Sequence, residues 1–263
     1  MVVVAGMLLR PVFPTGLPFG RDGQVVLMLI FALAFGLTHL AAAFWEKSGD
    51  WAILGFAPAS WHPLRLGLAL GAGLTTALGS AVVLRLMGAA RLQDMPAGNW
   101  GRFAADVLVL VALATLVEAL AFRGYLHGVI ERNYGSWWAV GIGSVLFTLG
   151  HTWGRIGSPM NLVAILALGC VLGAVRVRSE GFAAAWMAHL GLAWAQGALL
   201  HSGQAGLDFG DVPGYRLVLG APRLLSGAGW GIDGGLLAGV LFVVAAGFLM
   251  RGVPLKPPPL ARP

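Results

Sequence analysis

Seven long apolar stretches, at about 24–45, 64–88, 104–122, 137–151, 160–176, 182–200 and 234–250, alternate with turn-rich junctions such as QDMPAGN, ERNYGS, RIGSP and RVRSEG. A hydrocarbon core about 30 Å thick is crossed by about 20 helical residues rising about 1.5 Å each. The pattern therefore predicts an all-α, polytopic transmembrane helical bundle of about seven to eight spans. The first full span, QVVLMLIFALAFGLTHLAAAF, reads as an uncleaved signal anchor. The preceding MVVVAGMLL lacks a cationic leader and is followed by Arg10, Pro11, Pro14 and Pro18, so it reads as an interfacial lead-in. An eighth span would come from that lead-in or from 215–226, and the junction 201–233 has room for a re-entrant or surface helix. Residues 1–250 then form a single transmembrane domain. Residues 251–263, ending in VPLKPPPLARP, form a proline-rich tail that cannot continue a helix.

Composition narrows the class. The chain is 58% hydrophobic and 11% charged, where soluble domains carry about a quarter charged residues. Its net charge of +6 comes from cations spread along the junctions (Arg10, Arg21, Arg85, Arg91, Arg102, Arg132, Arg155, Arg176, Arg178), not from a basic block, which excludes nucleic acid as a partner. The excess of Arg near the early spans assigns Arg10, Arg21, Arg85, Arg91 and Arg102 to the cytoplasmic side. Trp45, Trp51, Trp61, Trp100, Trp137 and Trp138 fall near span ends, as interfacial anchors do. A single cysteine, Cys170, excludes an intrachain disulfide and reads as packing. Neither a repeat nor matching interrupted spans mark an inverted-repeat transporter. Close helix approach is expected at Gly67/Gly71, Gly124/Gly128 and Gly169/Gly173.

Ionisable residues inside apolar segments are costly and mark function by default. Three spans carry them: Glu118 in VEALAFRG, His151 in FTLGH, and His189 in HLGLAWAQ. Glu118 and Phe122 share a helical face, whereas Glu118 and Arg123 lie about 140° apart, so they are not a helical ion pair. Arg123 must find another partner, snorkel, or donate to carbonyls. Phe147 and His151 stand four residues apart, and His189, Ala193 and Gln196 fall on one stripe. A carboxylate in an apolar setting can take a proton from water, one histidine can share it, and the other can donate to a developing oxyanion. Each polar residue taken alone is as simply a packing residue of the bundle. His39 reads as interhelical packing, His127 as marking the membrane edge, Asp106 as opening the Glu118 helix, and Asp208 and Asp211 as solvated. A two-histidine, one-carboxylate zinc set from Glu118, His151 and His189 is a second option, but the HExxH spacing is absent and metal-free chemistry is favoured, with no cofactor.

Together, Glu118 with Phe122-Arg123-Gly124, Phe147-xxx-His151, and His189 followed by Trp194 and Gln196-Gly197 resemble the three signature motifs of the CPBP family of intramembrane proteases, which includes the type II CAAX prenyl endopeptidases. Asn161-Leu162, the Gly169/Gly173 stretch with Arg176 and Arg178, and residues 224–235 also look like bacterial, Abi-type members, so the resemblance covers about 105–245. It implies an intramembrane endopeptidase in the bacterial inner membrane acting on a membrane-associated peptide or protein. By resemblance, Glu118 and His151 activate water, His189 helps bind the oxyanion, and Arg123 is structural or substrate-orienting. Phe122, Phe147 and Gln196 support the site. Two positions depart from the motifs: Ala119 replaces the usual second glutamate, and Ala193 replaces an asparagine. Losing one oxyanion donor costs about 10²–10³ in turnover, and Gln196 offers a longer amide arm nearby. The departures also admit a non-catalytic member serving as a partner-binding or bacteriocin self-immunity protein. A small-solute transporter is a third class.

Overall fold

A computed structural model describes residues 21–254, apart from 47–50, 52, 153–157, 206–208 and 210. The N-terminal lead-in and most of the proline-rich tail, with Arg10, Arg155 and Asp208, lie outside the described residues.

Each apolar stretch is a helix. They are α1 (Arg21–Glu46), α2 (Pro63–Leu86), α3 (Trp100–Arg123), α4 (Tyr125–Tyr134), α5 (Ser136–Thr152), α6 (Pro159–Ser179), α7 (Phe182–Trp194), the short α8 (Arg223–Ser226) and α9 (Leu236–Leu249), with α4 and α8 as additions to the seven expected. Local chemistry sets several boundaries. Asn99 caps α3 by accepting the Arg102 N–H at 2.9 Å. Ser158 and Asn161 form a capping box around Pro159 at the start of α6. Arg178 donates to the Leu249 and Arg251 carbonyls, satisfying acceptors at the end of α9. Among the described residues, four segments are long and apolar enough to cross a bilayer: Val25–Glu46, Pro63–Leu86, Trp100–Tyr134 and Pro159–Ser179. The protein is an integral membrane protein.

The stretch 215–226 is not a span. Tyr215–Leu219 forms β2, paired antiparallel with β1 (Ala90–Asp94) from Ala90 opposite Leu219 to Asp94 opposite Tyr215. Five residues interrupted by Arg216 and stopped by Gly220 and Pro222 cannot cross a membrane, and the β1 strand satisfies their backbone instead. The rest of junction 201–233 holds α8 and short 3₁₀ turns. The bundle is otherwise all-α. Arg85, Arg91 and Arg102 share the ribbon end of the bundle, while Arg132 sits at the opposite end, where it meets Glu46 at 3.1 Å.

Two kinds of contact hold α7 in place. Three indole N–H groups, each at 3.1 Å, join α3 to α7 and its extension: Trp100 to the Ala198 carbonyl, Trp194 to Ala104 and Trp186 to Ala112. The register is constant and antiparallel, and buried indole donors need such partners. On the other side, α2 and α7 pack backbone to backbone. A Cβ at Gly73 would overlap the Ala188 carbonyl, and one at Gly191 would overlap the Leu70 carbonyl. Gly124 and Gly128 are likewise enclosed, by His39 and Ile53, and Gly169 and Gly173 lie against Ser144 and Val140 of α5. Gly67 and Gly71 face open space, so the α2 contact is displaced along the helix from the expected pair. Gly191→Val should lower the unfolding temperature in detergent by several degrees, whereas Gly67→Val should leave it within error, as read by differential scanning fluorimetry.

Candidate active site

Rise per residue brings the three motifs to one level. Glu118 lies five residues before the end of α3, about 7.5 Å back along the axis, and α4 carries the chain on for about 15 Å before α5 returns. His151, about 22 Å along α5, therefore arrives at the depth of Glu118. His189 reaches the same zone from the start of α7.

The resulting constellation is buried. Glu118 is 5% exposed and His189 4%. His151 Nε2 stands 3.6 Å from Glu118 Oε1, and His189 Nδ1 stands 3.3 Å from Oε2. Each histidine thus faces a different oxygen of one carboxylate. His151 Nδ1 lies 3.0 Å from the Phe147 carbonyl, which can only accept, so Nδ1 carries the proton. In the neutral ring Nε2 is then a bare acceptor aimed at Glu118 Oε1. Two acceptors 3.6 Å apart do not bond each other; they suit a molecule that donates two hydrogens. Among the described residues no group of three His, Cys, Asp or Glu side chains is arranged as a metal site.

Phe147, fully buried, joins these groups. Its ring lies 4.2 Å from that of His151 and 5.8 Å from that of His189, and it meets Phe122 edge-on at 5.7 Å. Arg123 stacks its guanidinium carbon 4.3 Å from the same ring centroid. That contact answers where Arg123 finds a partner, and a desolvated cation–π pair is worth about 2 kcal/mol or more. The Arg123 carbonyl accepts from Arg176 Nε at 3.0 Å. Arg176, 3% exposed, also reaches Glu131 at 4.0 Å. Its structural role is not legible from the sequence, because its carbonyl acceptor lies 53 positions away.

Both departures from the motifs occupy apolar surroundings. Ala119 packs with Leu120 and Phe182 among Phe35, Phe56 and Trp186, turned away from the histidines. Ala193 sits among Val107, Val111 and Leu190, facing α3. Gln196 is fully buried on a π-helical turn, Ala195–Leu199, that extends α7; such turns recur at functional sites. Its side chain lies beside the carboxyl of Asp233, which belongs to the 3₁₀ turn Ile232–Gly234 between the ribbon and α9. Asp233 belongs to the family-like stretch 224–235, but no site role could be read for it in the sequence, because a carboxylate in a Gly-rich junction shows its burial only in three dimensions. Burial pushes its carboxyl up to about 7, and the Glu118 charge acts the same way, against hydrogen bonding from backbone groups and Gln196.

Two other histidines are structural. His39 Nε2 accepts the Tyr125 N–H at 3.0 Å, and Nδ1 lies 2.7 Å from the Phe35 carbonyl. It thereby satisfies a donor at the start of α4, where Gly124 interrupts the α3 helix. His127 does not mark an exposed membrane edge: it is 1% exposed, because α4 packs against α5 there. Cys170 is a free, half-buried thiol packed beside Val140, Ala174 and Met250.

Residues 100–195, which include Glu118, His151 and His189, match the family model described as Rce1-like, type II CAAX prenyl endopeptidase Rce1-like. Neither a curated protein nor a solved structure matches the chain.

Two substitutions test this geometry. Phe147→Ala should cost about 3–5 kcal/mol of stability, as aromatic truncations in cores do, measured by thermal unfolding in detergent. Ala119→Glu should lower the unfolding temperature, because it buries a carboxylate among Leu120, Phe35 and Phe182 and pulls Arg123, one turn on, away from the Phe147 ring.

Proposed function

We propose that this protein, a CPBP-family member by its match to the CAAX-type intramembrane proteases, hydrolyses a peptide bond of a membrane-associated peptide or protein by means of Glu118, His151 and His189. The observation that carries the reading is the Glu118 carboxylate held between two imidazoles from two other helices, at 3.6 and 3.3 Å.

Water placed between Glu118 Oε1 and His151 Nε2 donates one hydrogen to each acceptor, leaving an oxygen lone pair for the scissile carbonyl. Glu118 takes the proton as the oxygen bonds the carbonyl carbon, and the carbonyl π pair becomes the oxyanion. One proton is shared between Glu118 Oε2 and His189 Nδ1, which leaves His189 Nε2–H to donate to that oxyanion. Gln196 supplies a second N–H where Ala193 has none. When the tetrahedral species collapses, the C–N bond breaks and the proton held by Glu118 passes to the leaving nitrogen. The burial of all three side chains excludes bulk water and strengthens each of these interactions.

In this reading Glu118 and His151 activate the water without a metal. The setting is a bacterial inner membrane crossed several times. Ala193 favours a second reading, in which the fold is kept for partner binding or bacteriocin self-immunity without turnover.

Purified protein and variants should be incubated with a membrane-peptide library and the products read by mass spectrometry. Glu118→Gln and His151→Ala should each reduce cleavage by about 10²–10⁴-fold, the range for loss of a general base. Cleavage should persist in EDTA and 1,10-phenanthroline, and Ala193→Asn should raise kcat. Absence of any Glu118-dependent product from the folded wild-type protein would sink the protease reading in favour of the non-catalytic one, and loss of activity together with stoichiometric zinc would replace the metal-free mechanism.

A further inference from the structure

We infer that Asp233 is a positioning residue for the reaction: it orients the Gln196 amide so that an N–H faces the carbonyl oxygen of the bound peptide. The inference rests on the protease reading above.

Asp233 and Gln196 are both almost wholly buried, at 1% and 0% exposure. Their side chains lie together, yet neither amide atom of Gln196 nor Oδ1 of Asp233 has a well-formed hydrogen bond among the described residues. A buried amide without firm partners costs about 1–3 kcal/mol, and a second carboxylate within electrostatic reach of Glu118 adds to that cost. Neither group is there for packing, since a leucine would fill the volume at lower cost.

The framework behind Asp233 is rigid. Asn161, itself locked by its capping box with Ser158, donates from Nδ2 to the Gly234 carbonyl at 2.8 Å. Gly231, just before the turn, has φ +118°, and a Cβ there would meet the Gly203 carbonyl and the Asp233 carboxylate. These contacts fix the backbone on both sides of Asp233 and hold its carboxyl inside the bundle. Gln196 stands two helical turns beyond His189 on the same stripe, and Asp233 beside it is within electrostatic reach of Glu118, which puts the pair on the carboxylate side of the bundle.

Hydrogen-bond inventory then determines which end of the amide faces the substrate. An ionised Asp233 only accepts, so it draws Nε2–H of Gln196 and leaves the second N–H of that nitrogen free. A protonated Asp233 donates to Oε1 and leaves both N–H groups free. Only the protonated state turns the N–H end of the amide, not its carbonyl, away from Asp233; an ionised Asp233 would draw Nε2 to itself and turn Oε1 outward, so the positioning role belongs to the protonated carboxyl, which burial beside Gln196 and within reach of Glu118 favours. Without Asp233, nothing distinguishes the two flips, and half of the orientations would turn Oε1 toward the oxyanion and repel it. A peptide carbonyl oxygen, becoming negative during attack, is the ligand such a donor serves.

The test is a double-mutant cycle of Asp233→Ala and Gln196→Ala, repeated in the Ala193→Asn background, with kcat and KM measured on a peptide cleaved in a Glu118-dependent manner and unfolding temperature measured in parallel. Asp233→Ala should lower kcat by up to about 10²-fold, the loss expected for one oxyanion donor, with KM little changed and the unfolding temperature unchanged or raised. Added to Gln196→Ala it should cause no further loss. Ala193→Asn should restore kcat to both single variants, and Asp233→Asn, whose side-chain N–H can still donate to Gln196 Oε1, should retain more activity than Asp233→Ala. Equal losses with and without Gln196, no loss at all, or a loss that follows unfolding would overturn the role of Asp233 while leaving the protease intact. A folded wild-type protein with no Glu118-dependent cleavage would overturn both.

Discussion

The site depends on the burial of one aromatic ring. Phe147 has no exposed surface and stands where α3, α5 and α7 converge, so the edges and faces of its ring are used by Phe122, Arg123, His151 and His189. An apolar ring is an economical centre for such a set, because it carries no hydrogen-bonding demand of its own and its quadrupole accepts both a cation and imidazole edges. The guanidinium on its face is also within electrostatic reach of the buried Glu118 carboxylate.

Around that centre, placement comes from long-range backbone contacts more than from side-chain polarity. In lipid there is no hydrophobic drive for helices to associate, and association relies on close packing and on hydrogen bonds between helices. The α7 helix shows both: glycine-mediated contact with α2 on one side, and tryptophan N–H bonds to α3 carbonyls on the other. These fix His189 along and about the helix axis. Arg176 performs a related service at the end of α3, where its Nε supports the Arg123 carbonyl beside the Gly124 break, while His39 satisfies the first donor beyond it. The break lets α4 form a separate helix, whose length sets the depth at which His151 returns.

The two motif departures differ in consequence. At 119 the surroundings are apolar and Arg123 has a ring in place of a carboxylate, so the loss of an acid there is matched by its neighbours. At 193 the described neighbours are the apolar Val107, Val111 and Leu190, and the amide that follows on the same helix is Gln196, with Asp233 beside it.

Much of the architecture was legible in the chain. The seven apolar stretches became seven helices because a membrane helix must satisfy its backbone within the segment, which makes hydropathy and length sufficient signals. Glu118, His151 and His189 were legible as candidates because ionisable groups stand out against an apolar background, and their convergence on one carboxylate is what the folded chain added. Other features depended on partners distant in sequence. The β1–β2 ribbon pairs strands 121 positions apart and replaced an expected span at 215–226. The Gly73/Gly191 contact, not Gly67/Gly71, carries the α2–α7 packing, because small-residue spacing marks a permissive face without specifying which stretch of it meets a neighbour. Burial of His127 and Asp233 was equally invisible, since each lies in a polar junction whose depth is determined by helices packing over it. Sequence alone determined which segments form apolar helices and which side chains are chemically out of place in them; tertiary structure decided which of them meet, because distance across a bundle is set by helix register and close packing rather than by any local pattern.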